Sequence, residues 1–193
     1  MPSDLQVTNI KANDGTAGLV IADSTGQVTG TLGSATVFPA GHVLQTLLRT
    51  KNDESSAVQN SNSYSKVVDS SGNAEWYGAI TPASGNKVLI NFNFVAYVAQ
   101  TDANDGVAFC IYRENTIILQ HTNKHSLYHG DVNSTHNFYA PVHLCFLDET
   151  PGGDGSTEIK YFLGSSDYDT SGVQIHSAST GQPFVSVLQE IKG

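Results

Sequence analysis

Histidines at positions 121, 125 and 129 recur at every fourth residue, a spacing that would stack three imidazoles on one helix face and offer them to a metal ion. Asn123, Gly130 and the flanking strand-like runs work against a helix there, so these histidines read as surface or interface residues, with His136 and His143 as further candidates. Asp102, Asn104 and Asp105 ahead of Gly106 resemble the opening of a calcium loop, but the twelfth position, which needs a glutamate, is Arg113. That segment reads as a hairpin turn. Paired carboxylates at Asp148 and Glu149, and at Asp167 and Asp169, are the residue types that act as acid and base on a glycosidic bond. They are also ordinary loop residues, and the patterns G-x-S-x-G, H-E-x-x-H, C-x-x-C and G-x-x-x-x-G-K-[ST] are absent. The reading is therefore of a non-enzymatic protein with no cofactor and no metal. Tyr128, Tyr139 and Tyr168 border polar loops and either stack on carbohydrate or protein or close strand ends. Tyr128 with His125, His129 and His136 makes 123–137 the candidate surface-binding loop.

The elements that must position these residues are strands. The closing run FVSVLQEIKG places apolar Phe184, Val187 and Ile191 among polar positions and reads as a terminal strand. From Gly41 onward the sequence predicts strands over 41–49, 64–68, 75–81, 87–100, 106–114, 116–120, 138–146, 157–163 and 184–191, with a weaker one over 173–177. Val88, Ile90, Phe92 and Phe94 alternate with polar or smaller residues, the period of a strand buried on one face. The expected fold is all-β, an antiparallel β-sandwich of residues 41–193, preceded by an extended arm over 1–40. In the arm, two short apolar runs flank Asn13-Asp14-Gly15, whose residues accept the positive φ of a hairpin turn. Trp76, Phe92 and Phe94 are expected in the core or at a seam between subunits. Cys110 and Cys145, in FCIY and HLCF, read as two buried thiols behaving as small hydrophobes, with a disulfide as the alternative.

Charge narrows the partners. Nine Lys and Arg against 18 Asp and Glu give 193 residues a formal charge of −9, and the basic residues form no stripe, which disfavours nucleic acid. Only 14% of residues are charged, where about 25% is usual, and Ser, Thr, Asn and Gly take their place. No apolar run approaches the roughly 20 residues of a membrane span, so membrane insertion is not expected. The start, MPSDLQVTNI, has neither the basic nor the apolar part of a secretory leader.

Six segments in order carry a resemblance: VTNIKANDGTAGLVIADSTGQVT, FPAGHVLQT, ITPASGNKVLINFNF, FCIYRENTIIL, LDETPGGDGSTEIKYFLGSS and VSVLQEIKG. Together they resemble the small tail fibre or structural proteins of the virions of tailed bacteriophages, particularly marine and cyanophage-like ones. The resemblance covers nearly the whole chain and implies a jelly-roll-like sandwich that assembles as a homotrimer. It further implies an arm that attaches to other virion proteins, and a particle surface facing a host glycan or protein. The chain departs from the fibre pattern in having no long repetitive shaft between arm and sandwich, which brings forward a second expectation, a capsid decoration or cement protein (head fibre). A carbohydrate-binding module is the third.

Overall fold

A computed structural model of the chain describes residues 9–11, 17–21, 28–29, 39–55, 63–99, 104–120, 126–130, 137–168, 172–175 and 182–193, and every described element is a β-strand. The chain divides into two units, Met1–Phe38 and Pro39–Gly193. The first holds a three-stranded antiparallel sheet of β1 (Asn9–Lys11), β2 (Ala17–Ile21) and β3 (Val28–Thr29) in that order, with Ile10 opposite Leu19. The predicted Asn13-Asp14-Gly15 turn lies outside the described residues, between two strands that do pair.

The second unit is a sandwich of two antiparallel sheets. Its strands are β4 (Val43–Lys51), β5 (Ser65–Lys66), β6 (Tyr77–Ile80), β7 (Lys87–Ala99), β8 (Asn104–Arg113), β9 (Thr116–Gln120) and β10 (Leu127–Gly130). They continue with β11 (Asn137–Asp148), β12 (Ile159–Tyr168), β13 (Gly172–Ile175) and β14 (Phe184–Ile191). In the six-stranded sheet β8 and β12 pair centrally; β9 and β10 share the outer edge of β8, and β5 and β6 that of β12. In the five-stranded sheet the order is β11-β7-β14-β4, with β13 sharing the β14 side of β7. Successive strands mostly alternate between sheets, and first and last strands β4 and β14 are neighbours. This is the strand order of a jelly roll, so the sandwich expected from the sequence is present.

The core explains the register. Val88, Ile90, Phe92, Phe94, Ala96 and Val98 of β7 all point inward and are buried, and β7 pairs with β11 without a break from Val88–Asp148 to Ala99–Asn137. A slip of one residue would put Asn91 and Asn93 into the core instead, so burial dictates the pairing. Opposite them stand Val107, Phe109 and Ile111 of β8 and Ile159, Tyr161 and Leu163 of β12. Phe94 meets Phe109 edge-on at 5.0 Å, and Phe184 of β14 lies 5.3 Å from Phe92. Burying each such side chain contributes about 1.5–3 kcal/mol.

Five sequence expectations change. The loop over 123–137 contains a strand, β10, because Leu127 to Gly130 pair with Val107 to Asn104. β8 starts at Asn104, inside the predicted turn, and β12 runs on to Tyr168 because β8 offers it a partner that far. In β14 the buried face is Phe184, Ser186, Leu188 and Glu190, whereas Val187 and Ile191 stand on the opposite face: residues three and seven apart cannot share a face with Phe184 at period two. Cys145 is exposed, since Leu144 beside it takes the buried side of β11; Cys110 is buried, and both thiols are free.

Candidate binding face

The outer face of the five-stranded sheet is built by alternation along β4, β14, β7 and β11. Pairing lines up its residues in rows: Leu48, Val187, Asn91 and Cys145 in one, Thr50, Val185, Asn93 and His143 in the next. Leu147 and Leu89 flank these rows on one side, and Pro141 with Val95 and then Tyr139 with Tyr97 on the other. No Lys, Arg, Asp or Glu belongs to these rows, although the chain carries −9 overall. The exposed large hydrophobic residues among the described ones, Val43, Leu47, Leu48, Tyr139 and Leu147, all lie on β4 or β11, the two edge strands of this sheet.

A cleft of about 320 Å³ opens on the β7–β11 half, where Asn93, Val95, Pro141, His143, Pro183 and Val185 line it. His143 Nε2 lies 3.3 Å from Asn91 Oδ1 at its border. On the β4 side, Leu47 is 41% and Leu48 67% exposed, although neighbouring strand residues face opposite ways. This edge therefore offers leucine to solvent on both of its faces.

Two buried carboxylates secure the margins of the sheet from within. Glu190 accepts hydrogen bonds from the Ala83 amide at 2.8 Å, from Asn86 Nδ2 at 2.5 Å and from Gln45 Nε2 at 2.7 Å. Burial alone would push its pKa up, but these donors, with Lys192 nearby, outweigh it and hold the group below the ordinary glutamate value. Asp148 receives Arg113 Nη1 at 3.1 and 3.0 Å, Tyr161 OH at 2.9 Å and the Thr150 amide at 3.2 Å. Burial, then the charge and hydrogen bond of Asp148, push the Tyr161 hydroxyl far above its usual value. Glu149 points instead to Lys87 Nζ, 3.1 Å away at the surface. The Asp148–Glu149 pair is thus split between a donor-filled interior site and an exposed ion pair.

Of the residues singled out in the sequence, His125, His136 and His121 lie outside the described residues, as do Asp102 and Asp169. Tyr128 and His129 are in β10, opposite Gly106 and Asp105. Asp167 and Tyr168 end β12, opposite Val107 and Gly106. Trp76, Phe92 and Phe94 are in the interior of the single chain; Trp76 immediately precedes β6, and its carbonyl accepts from the Leu163 amide at 2.8 Å. His143 and Tyr139 both reach the outer face described above, but the cleft itself carries no signal in the linear sequence: Asn91 and His143 are 52 positions apart and meet only through the β7–β11 register. Among the described residues no three His, Cys, Asp or Glu side chains gather into a metal site.

No family model and no curated protein matches the chain. Among solved structures it is similar to that of the infectious bursal disease virus Gx strain, with TM-score 0.39 and 10% identity over 100% of this chain and 41% of that one. It is also similar to dimeric latent PorU from Porphyromonas gingivalis, with TM-score 0.35 and 12% identity over 86% of this chain and 14% of that one. A third likeness is to the infectious bursal disease virus VP2 subviral particle, with TM-score 0.29 and 12% identity over 90% of this chain. The chain spans 42% of the length of that last structure's chain.

Proposed function

We propose that this chain is a non-enzymatic structural protein of a tailed-phage virion, a homotrimeric fibre or host-recognition tip whose first 40 residues attach it to other virion proteins. The ordered sequence resemblance supplies the setting, and the β4 edge is the observation that carries the assembly. Edge strands of proteins that work alone are guarded by charge, proline or a covering loop. β4 instead exposes Leu47 on one side and Leu48 on the other. A second copy of the chain covers it, because an acidic protein can approach its own kind only through a face free of like charge. β4 has no acidic residue, and its two cations are already neutralised, Arg49 by Glu75 at 2.9 Å and Lys51 by Asp53 at 2.7 Å. Burial of that edge in a neighbouring copy makes stability depend on protein concentration.

Sedimentation of the full chain tests the assembly: a species of three copies is expected, and a monomer at all concentrations would sink it. Gold-labelled antibody to 41–193 on intact particles tests the location, with label on the tail expected for a fibre or tip. One observation favours the second reading, a capsid decoration protein. The sequence has no long repetitive stretch of the kind that forms a shaft between residues 1–40 and 41–193. Label distributed over the head would establish that reading and remove the first.

A further inference from the structure

We propose that the cleft over β7 on the outer face of the five-stranded sheet, flanked by Pro141 and His143 of β11 and by Pro183 and Val185 at the start of β14, binds an uncharged saccharide chain. The inference names a ligand class for the host-recognition branch above and rests on that reading only for its biological setting. At about 320 Å³ the cleft is at the small end of ligand sites, which run from roughly 300 to 1,000 Å³. Its lining narrows the ligand by chemistry. Among the described residues no Lys, Arg, Asp or Glu lines it, so an ionic ligand finds no countercharge there, and an anion is also repelled by a chain of −9. A wholly apolar ligand would strip water from the Asn93 amide and the His143 ring without replacing its hydrogen bonds. What remains is a molecule with both a flat C–H face and a rim of hydroxyls. Val95, Pro141 and Pro183 offer surfaces for the former, and Asn93 and His143 donors and acceptors for the latter.

The platform continues beyond the cleft. Tyr139 follows Pro141 as the next outward residue of β11, Tyr97 follows Val95 on β7, and their rings lie 5.1 Å apart. From Asn93 to Tyr97 the face runs about 13 Å at the rise of a strand, longer than one pyranose ring, and it ends on an aromatic pair suited to stack under a second. An extended peptide fits less well. Its usual route is to add a strand, and the flanks of β7 are already paired with β11 on one side and with β13 and β14 on the other.

The test uses the full chain with isotope-labelled valine methyls, titrated with cellohexaose, mannohexaose and isomaltohexaose, with oligosialic acid and a proline-rich peptide as controls. At least one neutral oligosaccharide is expected to bind with Kd near or below about 1 mM and to shift the Val95 and Val185 methyls. Asn93→Ala and Tyr139→Ala are each expected to weaken that binding about tenfold with unchanged thermal unfolding, since both side chains are exposed. Silence of all three neutral chains at those methyls overturns the proposal. So does a response there to oligosialic acid or the peptide alone, or a neutral-sugar response unmoved by both substitutions. Particle labelling is read separately: saccharide binding without a labelled particle removes the virion setting, and a labelled tail without saccharide binding removes this site.

Discussion

The two outer faces of the sandwich are finished differently. On the six-stranded sheet, Cys110 and Tyr112 of β8 and Phe162 of β12 are buried under Tyr64, Ala74, Tyr77 and Ile117. Tyr112 OH donates to the Tyr64 carbonyl at 2.8 Å, and burial pushes both the Cys110 thiol and the Tyr112 hydroxyl up to about 12. Cations then cap the rim: Lys66 Nζ stands 4.0 Å over Phe162, and the Arg49 guanidinium 3.5 Å over Tyr77 while Nη2 bonds Glu75 at 2.9 Å. Long cationic side chains cover apolar surface with their stems and keep their charge in water. The five-stranded sheet has neither device on its outer rows. Among the described residues, the chain completes one face from its own side chains and leaves the other in a condition that suits a partner.

The largest effects are expected on the covered face. Phe162→Ala removes a buried ring that packs 5.2 Å from Tyr77 and supports Lys66, and should cost about 3–4 kcal/mol in urea unfolding. A cost below about 1 kcal/mol would mean that this face is not packed as described. Gly164→Ala comes next. A Cβ there would stand 2.5 Å from the Tyr112 ring and 2.6 Å from Cys110 Sγ, so one of these two buried side chains must shift and about 2–3 kcal/mol is expected. Gly→Ala at Gly85, where nothing lies within 4 Å, isolates the backbone term, because its φ of +79° already favours glycine.

A smaller, pH-dependent effect belongs to the inner margin of the bare sheet. Glu190 ties β14 to β4 through Gln45 and to the turn before β7 through Ala83 and Asn86. Its pKa is lowered on folding, so the stability it contributes is complete above the unfolded value of about 4.3 and is lost as pH falls through the folded value. Glu190→Gln should therefore destabilise by about 1–2 kcal/mol at neutral pH, because one accepting oxygen becomes a donor facing donors. It should also flatten the acid limb of a plot of urea midpoint against pH. An unchanged acid limb would place the titration elsewhere.

How far the sequence could be read follows from the same residues. β7 was legible because Val88, Ile90, Phe92 and Phe94 are large, apolar and two apart, and the core asks only for that. β14 was legible as a strand but not by face, since its buried side includes Ser186 and Glu190. Ser186 is inside because Gly78 brings β6 so close that a Cβ would stand 2.9 Å from Ser186 Oγ, and Glu190 is inside because three donors converge on it. Neither cause is local. β10 was hidden for a related reason: LYHG among histidines and asparagines has the composition of a loop, and becomes a strand only where β8 offers an edge. The cleft was the least legible feature, because Asn93 lies far in sequence from Pro141 and His143 and each is unremarkable singly.

The smallest effect on stability is expected on the bare face, and it is the one that separates the two halves of the comparison. Leu48 is 67% exposed in the single chain, so Leu48→Asp removes almost no packing there and should change the stability of an isolated protomer by less than about 0.5 kcal/mol. If a second copy covers β4, the same substitution buries an uncompensated charge between subunits, a cost no exposed site can impose. Sedimentation of Leu48→Asp should then show loss of the assembled species while the protomer keeps its far-ultraviolet signal and its unfolding midpoint. Leu48→Met, which keeps the volume and adds no charge, should assemble normally. Were Leu48→Asp to assemble like the parent, the leucines of β4 would have to be covered by something other than a second copy, and the bare face would be assigned to a partner of different chemistry.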